Sequence, residues 1–158
     1  MKTLETEKPK EKLISIRKIV VAVDLSEHSE ATTRYAAELA KSFDASLYVV
    51  HVFLPASFYS VASEKSYGLI NEECERLRER LDQLTDGVRE AVPASEVVLL
   101  MGDPVEEITA MARNVDADLI ITASHHPGFL TRLFNLDKAP KIMHQAPCPV
   151  LVFHEHNA

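Results

Sequence analysis

Glycine is scarce in this chain of 158 residues, which contains only four: Gly68, Gly87, Gly102 and Gly128. Backbone that approaches a bound phosphate closely usually needs glycine, because glycine lacks a Cβ and tolerates positive φ. A glycine-rich phosphate loop is therefore excluded over most of the sequence.

Other absences narrow the class of protein. There are only two cysteines, Cys74 and Cys148, which we expect to be free thiols in a reducing cytoplasm. No apolar run is long enough for a transmembrane helix, and the N-terminus lacks the apolar core of a secretion signal. The net charge of −7 argues against a nucleic-acid partner. We predict a cytoplasmic protein without membrane insertion.

The first half of the chain predicts a βαβ unit. Residues 1–15 are rich in charge, so we expect a mobile tail before a single domain that spans residues 16–158. The apolar run from Ile19 to Val23 is typical of a strand buried on both faces. Ser26 is a suitable N-cap for the next helix, whose apolar face is Ala31, Tyr35, Ala36, Leu39 and Ala40. A second strand, Leu47 to Phe53, follows.

The second half adds three strands and three helices. A long helix carries an apolar stripe that we expect to pack on the sheet: Ile70, Cys74, Leu77, Leu81, Leu84 and Val88. Val97 to Met101 is the third strand, and Asp103 followed by Pro104 predicts the start of the next helix. The remaining elements are Leu119 to Ala123, a helix from about Asp137, and Pro149 to Phe153. This order indicates an α/β fold with a mostly parallel sheet and helices on both faces.

Four fragments, VAVDLS, GDPVEEI, DADLIITASHH and APCPVLVF, resemble the universal stress protein family in their order and spacing. The resemblance covers about Arg17 to Phe153 and implies an open Rossmann-like sheet with strand order 3-2-1-4-5. Ligands of such sheets bind where the strand order reverses. By resemblance, a nucleotide site would comprise Asp24, Val52, Ala123, Ser124, His125, His126, Leu136 and Asp137.

Two of these positions belong to the adenosine end of the site. Asp24 matches the aspartate that approaches adenosine in nucleotide-binding members, and Val52 could offer backbone groups to an adenine edge. Each residue has an alternative interpretation. Asp24 could hydrogen-bond the N–H groups of its own loop, and Val52 could be an ordinary core residue.

The phosphate end departs from the family pattern of glycine, two residues, glycine, nine residues, glycine and then serine or threonine. The matching positions here are Ala123, His126, Leu136 and Asp137, none of which is glycine. As a helix N-cap, Asp137 would put a carboxylate where phosphate binds. A unit charge about 4 Å from a phosphate opposes binding by about 4 kcal/mol at an effective dielectric of about 20. We predict no ATP or AMP cofactor; a site in which Arg132 and Lys138 offset the repulsion is the alternative.

Catalytic and metal sites are not indicated. His125 and His126 are adjacent, but a metal site needs three or four ligands and the sequence offers no third nearby. Ser124 lacks the flanking glycines of a nucleophile elbow. Cys148, between two prolines, is interpreted as a packed thiol. We therefore predict that the protein is not an enzyme.

The last strand predicts a homodimer. In the family's strand order it lies at an edge of the sheet, and its apolar run is Val150, Leu151, Val152 and Phe153. Such an edge aggregates unless it is paired or blocked. We therefore interpret the chain as a non-enzymatic stress-response protein that acts as a homodimer on unidentified protein clients. The alternative is a stress regulator that binds ATP or AMP through a degenerate loop.

Overall fold

A computed structural model of the chain describes residues 14–55, 64–123 and 144–155. Within these ranges the elements are β1 (Lys18–Ala22), α1 (Ser29–Phe43), β2 (Ser46–Phe53), α2 (Glu64–Ala91), β3 (Ser95–Met101), α3 (Pro104–Asn114), β4 (Leu119–Ala123) and β5 (Val150–Phe153). The five strands form one sheet in the order β3-β2-β1-β4-β5, and every pairing is parallel. The predicted fold and strand order are confirmed. The tail up to residue 13 and the start of the helix predicted near Asp137 lie outside the described residues.

The core lies on both faces of the sheet. On one face, α1 and α2 cover Ile19 and Val21 of β1. On the other face, α3 covers Val20 and Ala22 of the same strand. All four side chains are buried, which explains why β1 is a continuous apolar run without polar alternation. No helix in the described ranges is long and apolar enough to span a bilayer.

Helix α1 begins two residues later than its sequence predicts. Leu25 has a φ of 60°, and the Ser29 N–H donates to the Ser26 carbonyl at 3.0 Å, so residues 26–28 form a turn. His28, and not Ser26, is the residue at the N-cap. The predicted apolar face is also wrong in part, because Tyr35 is exposed whereas Thr32 and Thr33 are buried. The two threonine hydroxyls donate to carbonyls one turn earlier, which satisfies them in the core.

Helix α2 is longer than the sheet that it covers. Its 28 residues span about 42 Å, whereas the seven residues of β3 span about 23 Å. Leu81 and Val88, in its C-terminal half, belong to the core. Ile70 and Cys74, nearer its N-terminus, are partly exposed and lie outside the core clusters. The prediction that the apolar stripe packs on the sheet therefore holds for the C-terminal half of the helix.

Helix α3 begins as its sequence predicts. The Asp103 carboxylate accepts hydrogen bonds from the N–H groups of Val105 at 3.0 Å and Glu106 at 3.3 Å, and Pro104 occupies the first turn. Gly102 precedes this cap with a φ of +150°, a conformation that side chains disfavour. The N-cap and the glycine together turn the chain sharply from β3 into the helix.

Candidate functional site

The carboxyl ends of β1 and β4 lie side by side where the strand order reverses. From β1 the chain passes through α1 to β2 on one side, whereas α3 leads to β4 on the other. The pairing of β1 with β4 ends at Ala22↔Thr122, and the chain after β1 then turns toward α1. Open parallel sheets bind ligands in the crevice at this place, so the ends of β1 and β4 are where a site is expected.

Asp24 stands at the mouth of this crevice and is held by its own loop. Its Oδ1 accepts hydrogen bonds from the Ser26 N–H at 2.9 Å and from the Ser29 hydroxyl at 3.0 Å. These bonds agree with the loop interpretation of Asp24. These two bonds also fix the turn that precedes α1, which explains why the helix starts at Ser29.

Val52 contributes to both the core and the crevice. Its side chain is buried in the cluster on the α3 face. The Val23 N–H donates to the Val50 carbonyl at 2.9 Å, so the backbone groups of Val50 point toward β1. Backbone groups alternate along a strand, so those of Val52 point the same way, past the end of β1. They form a donor–acceptor pair of the kind that matches the edge of a purine base.

His51 is a site residue that the sequence analysis missed. Its side chain is buried, and its Nδ1 lies 2.8 Å from the Val23 carbonyl oxygen. A carbonyl only accepts, so Nδ1 carries the hydrogen. Burial lowers the pKa of His51 below its usual value, against the raising effects of the Val23 bond and of Asp24, and with a further lowering effect of Arg80. A histidine within an otherwise apolar strand, LYVVHVF, is the sequence signal that points to this residue.

Arg80 reaches the same region from α2. Its guanidinium donates to the Leu25 carbonyl at 2.6 Å. This bond ties the strained residue after Asp24 to the long helix, which a sequence pattern could not indicate because 55 positions separate the partners. The loop after β1 is thus held by Asp24 on one side and by Arg80 on the other.

On the β4 side, Ala123 is the last described residue of the predicted site. It is buried at the end of the strand. The buried hydroxyls of the preceding Thr122 and of Ser26 have no hydrogen-bond partner among the described residues. Five predicted positions lie outside the described residues: Ser124, His125, His126, Leu136 and Asp137. The described structure therefore brings together Asp24 and Val52 at the crevice and places Ala123 at the end of the neighbouring strand.

Within the described ranges, no group of three or more histidine, cysteine, aspartate or glutamate side chains could hold a metal ion. Both cysteines are free and partly buried. Burial raises the pKa of the Cys148 thiol, with a further rise from the charge of Asp118 and a smaller opposing effect from the Ile120 backbone. Because the thiolate is the nucleophilic form, this environment does not activate Cys148.

The predicted dimer edge is β5. The Ile120 N–H donates to the Pro149 carbonyl at 3.0 Å, which sets the pleat so that the backbone groups of Val150 and Val152 point away from β4. Among the described residues, none pairs with this outer side. Val152 is 36% exposed, and Phe153 stacks on Tyr35 of α1 with ring centroids 4.7 Å apart.

This open parallel sheet, whose strand order reverses between β1 and β4, defines a Rossmann-like α/β protein. The model of the universal stress protein family matches residues 15–154. A universal stress protein of Methanocaldococcus jannaschii is 31% identical over 137 residues, which cover 86% of this chain and 81% of the relative. One of Thermus aquaticus is 32% identical over 136 residues, with 85% and 96% covered. The chain belongs to the universal stress protein family.

Solved structures share the fold. The universal stress protein UspA of Lactobacillus plantarum has a TM-score of 0.73 and 21% identity, over 89% of this chain and 99% of its own. A universal stress protein in complex with cAMP has a TM-score of 0.63 and 20% identity, with 89% and 98% covered. The Archaeoglobus fulgidus protein in complex with dAMP has a TM-score of 0.61 and 24% identity, with 88% and 98% covered.

Proposed function

We propose that this chain is a non-enzymatic stress-response protein that acts as a homodimer and does not hold ATP. The observation that carries the proposal is the engagement of Asp24 by its own loop, through Ser26 and Ser29. Oδ1 of Asp24, which accepts both of these hydrogen bonds, has little capacity left for a ligand hydroxyl. The replacement of the three loop glycines by Ala123, His126 and Leu136 acts in the same direction.

We assign no catalytic residue to the protein. Its action would consist of binding client proteins whose identity the fold does not specify. We place it in the cytoplasm, where the two free thiols, Cys74 and Cys148, would remain reduced.

A second function, a regulator that binds an adenine nucleotide, is favoured by the backbone of Val52. Its N–H and C=O are directed past the end of β1, where they could pair with a base edge. The solved relatives with cAMP and dAMP hold nucleotides with a single phosphate. A ligand with one phosphate depends less on a phosphate loop than ATP does. AMP and cAMP are therefore the ligands to compare with ATP.

Thermal shift with ATP, AMP and cAMP, each with and without Mg²⁺, tests the proposal. A ligand of micromolar affinity at a thousandfold excess adds about 4 kcal/mol and raises the Tm of a domain of this size by about 10 °C. We expect no comparable shift with ATP. A large shift with ATP would refute the first function, and a shift with AMP or cAMP alone would establish the second.

A gain-of-binding variant provides the matched control. The combined changes Ala123→Gly, His126→Gly, Leu136→Gly and Asp137→Ser restore the family's loop pattern. This variant should respond to ATP in the same assay if the loop is what prevents binding. If it folds but also fails to respond, the obstacle lies at Asp24 and not in the loop.

A further inference from the structure

The edge of the sheet opposite β5 carries a second row of outward-facing backbone groups. The Leu47 N–H donates to the Ala94 carbonyl at 3.1 Å, and the Gly102 N–H donates to the Phe53 carbonyl at 3.1 Å. These two bonds set the pleat of β3, so its backbone groups alternate between β2 and the outside. The outward-facing N–H and C=O groups belong to Ser95, Val97, Leu99 and Met101. Among the described residues no further strand pairs with them.

Edge strands are usually protected from additional pairing by proline, lysine, bulges or short length. β3 has seven residues, SEVVLLM, with no proline and no lysine, and its pairing with β2 is continuous over all seven. Its one charged residue, Glu96, is exposed. Side chains alternate along the strand, so Glu96 lies on the α3 face with Val98, whereas Val97 and Leu99 face α2. On the α2 side, β3 therefore has no charge of its own to prevent strand addition.

A groove of about 340 Å³ runs between this edge and α2. Its lining comprises Arg78, Leu81, Asp82, Arg89, Val97, Val98 and Leu99. Two of its three charged residues are arginines, although the whole chain has a net charge of −7. Arg89 contacts Asp82 at 2.9 Å, while Arg78 is exposed and forms no ion pair with any residue in the described ranges. The lining thus has a net charge of +1, from two arginines and one aspartate, and it lies beside the outward backbone groups of β3.

We propose that the β3 edge and this groove bind an acidic peptide segment of a partner protein in an extended conformation, as an added strand. The backbone of the segment would pair with the outward groups of Val97 and Leu99, a recognition mode in which main-chain bonds give affinity and alternate side chains give specificity. Arg78 and Arg89 are eleven positions apart on α2, which corresponds to about 16 Å along the helix. Carboxylates four positions apart on a strand are separated by about 13 Å. Arginine side chains are long enough to make up the difference between this spacing and that of the two arginines.

The segment should therefore carry two acidic residues four positions apart, with an apolar residue midway that packs on the partly exposed side chains of Val97 and Leu99. The probe is a fluorescently labelled seven-residue peptide with glutamate at positions two and six, valine at position four and threonine elsewhere. A peptide with lysine in place of both glutamates is its control. Fluorescence anisotropy at low ionic strength should detect the acidic peptide and not the basic one.

Variants of the full chain locate the site. Arg78→Glu and Arg89→Glu should each weaken binding by about fivefold or more, as expected for reversing a partly exposed charge pair. Arg76→Glu is the matched control, since Arg76 is an exposed arginine on the same helix that does not line the groove. Binding that is equally weakened by Arg76→Glu would reflect overall charge and would overturn the proposal.

Methylation of the peptide backbone distinguishes binding by strand addition from binding by charge attraction alone. Two further peptides carry N-methyl groups on alternate residues, one on the odd and the other on the even positions. Because only one set of N–H groups faces β3, one peptide should lose binding and the other should keep it. Equal binding of both, or no binding of the unmodified peptide up to about 1 mM, overturns the proposal. The proposal is also overturned if light scattering shows that Arg78→Glu dissociates an oligomer. The β3 edge would then pair with a second copy of this chain.

Discussion

The Nδ1 atom of His51 lies 2.8 Å from the carbonyl oxygen of Val23 and donates a hydrogen bond to it. In a continuous parallel ladder that oxygen would accept from the N–H of Val52. The buried imidazole thus caps the end of β1 and leaves the Val52 N–H directed into the crevice. A side chain of β2 thus occupies the backbone oxygen at the end of β1, next to the Val52 N–H.

This relationship predicts that stability falls with decreasing pH. Burial lowers the pKa of His51 below the usual value of 6.5 in the folded state. The unfolded chain then binds more protons than the folded chain once the pH drops below about 6.5, so the free energy of unfolding decreases through that range and levels off below the folded pKa. His51→Gln, which keeps a donor near Val23, should reduce this dependence. Urea unfolding at several pH values between about 5 and 8 measures it.

A control for this prediction is His154→Gln, since His154 is exposed after β5. That variant should retain the pH dependence of the original chain. If His51→Gln leaves the slope of stability against pH unchanged, His51 does not cause it.

A second prediction concerns the two halves of α2. Leu81 is 1% exposed and lies in the core, so Leu81→Ala should cost about 2–5 kcal/mol through lost burial and the cavity left behind. Ile70 belongs to the half of the helix outside the core clusters, and Ile70→Ala should cost less than about 1 kcal/mol. Chemical denaturation compares the two. Equal losses would mean that the N-terminal half of α2 is also packed.

Most strands and helices could be predicted from the sequence because each one follows from a local pattern of residues. Apolar runs mark the strands, and Asp103 with Pro104 marks the start of α3. The strand order required the family resemblance, since periodicity carries no information on which strands are neighbours. The late start of α1 escaped prediction because Ser26 is a good N-cap by residue type, whereas the structure uses Asp24 to hold Ser26 within a turn.

The candidate site was less predictable than the fold. Asp24 and Val52 were identified through the family resemblance, at the carboxyl ends of their strands. The contact of Arg80 with the Leu25 carbonyl depends on how α2 crosses the sheet, which is a tertiary property. The same holds for His51, whose role depends on where β1 stops.

A third prediction concerns the turn before α3. A Cβ added at Gly102 would lie 2.8 Å from Oε1 and 2.9 Å from Cγ of Glu107, and the φ of +150° is itself unfavourable for other residues. Gly102→Ala should therefore destabilise the protein by about 1–3 kcal/mol. Combining it with Glu107→Ala removes the contact but not the strained backbone, so only part of the loss should be recovered. Thermal unfolding of the single and double variants makes this comparison, and complete recovery would show that the side-chain contact is the whole cause.

The last prediction is that Val152→Pro separates the proposed homodimer while leaving each subunit folded. The N–H of Val152 points away from β4, so proline there removes a donor from the outer edge without removing a bond between β4 and β5. The Phe153 stack on Tyr35 and the contact of His28 with Glu155 at 3.0 Å hold β5 against α1. The subunit should therefore keep its Tm to within a few degrees after the dimer is lost.

Val97→Pro provides the matched control, because the N–H of Val97 also points outward but lies on the opposite edge of the sheet. It should leave the dimer intact, which light scattering and sedimentation can establish at tens of micromolar protein. Pairing of β5 with its copy about a two-fold axis would satisfy the open N–H and C=O groups of this edge on both subunits and would close the assembly at β5. A monomeric wild-type chain at that concentration, or a dimer that survives Val152→Pro and dissociates with Val97→Pro, would place the interface elsewhere.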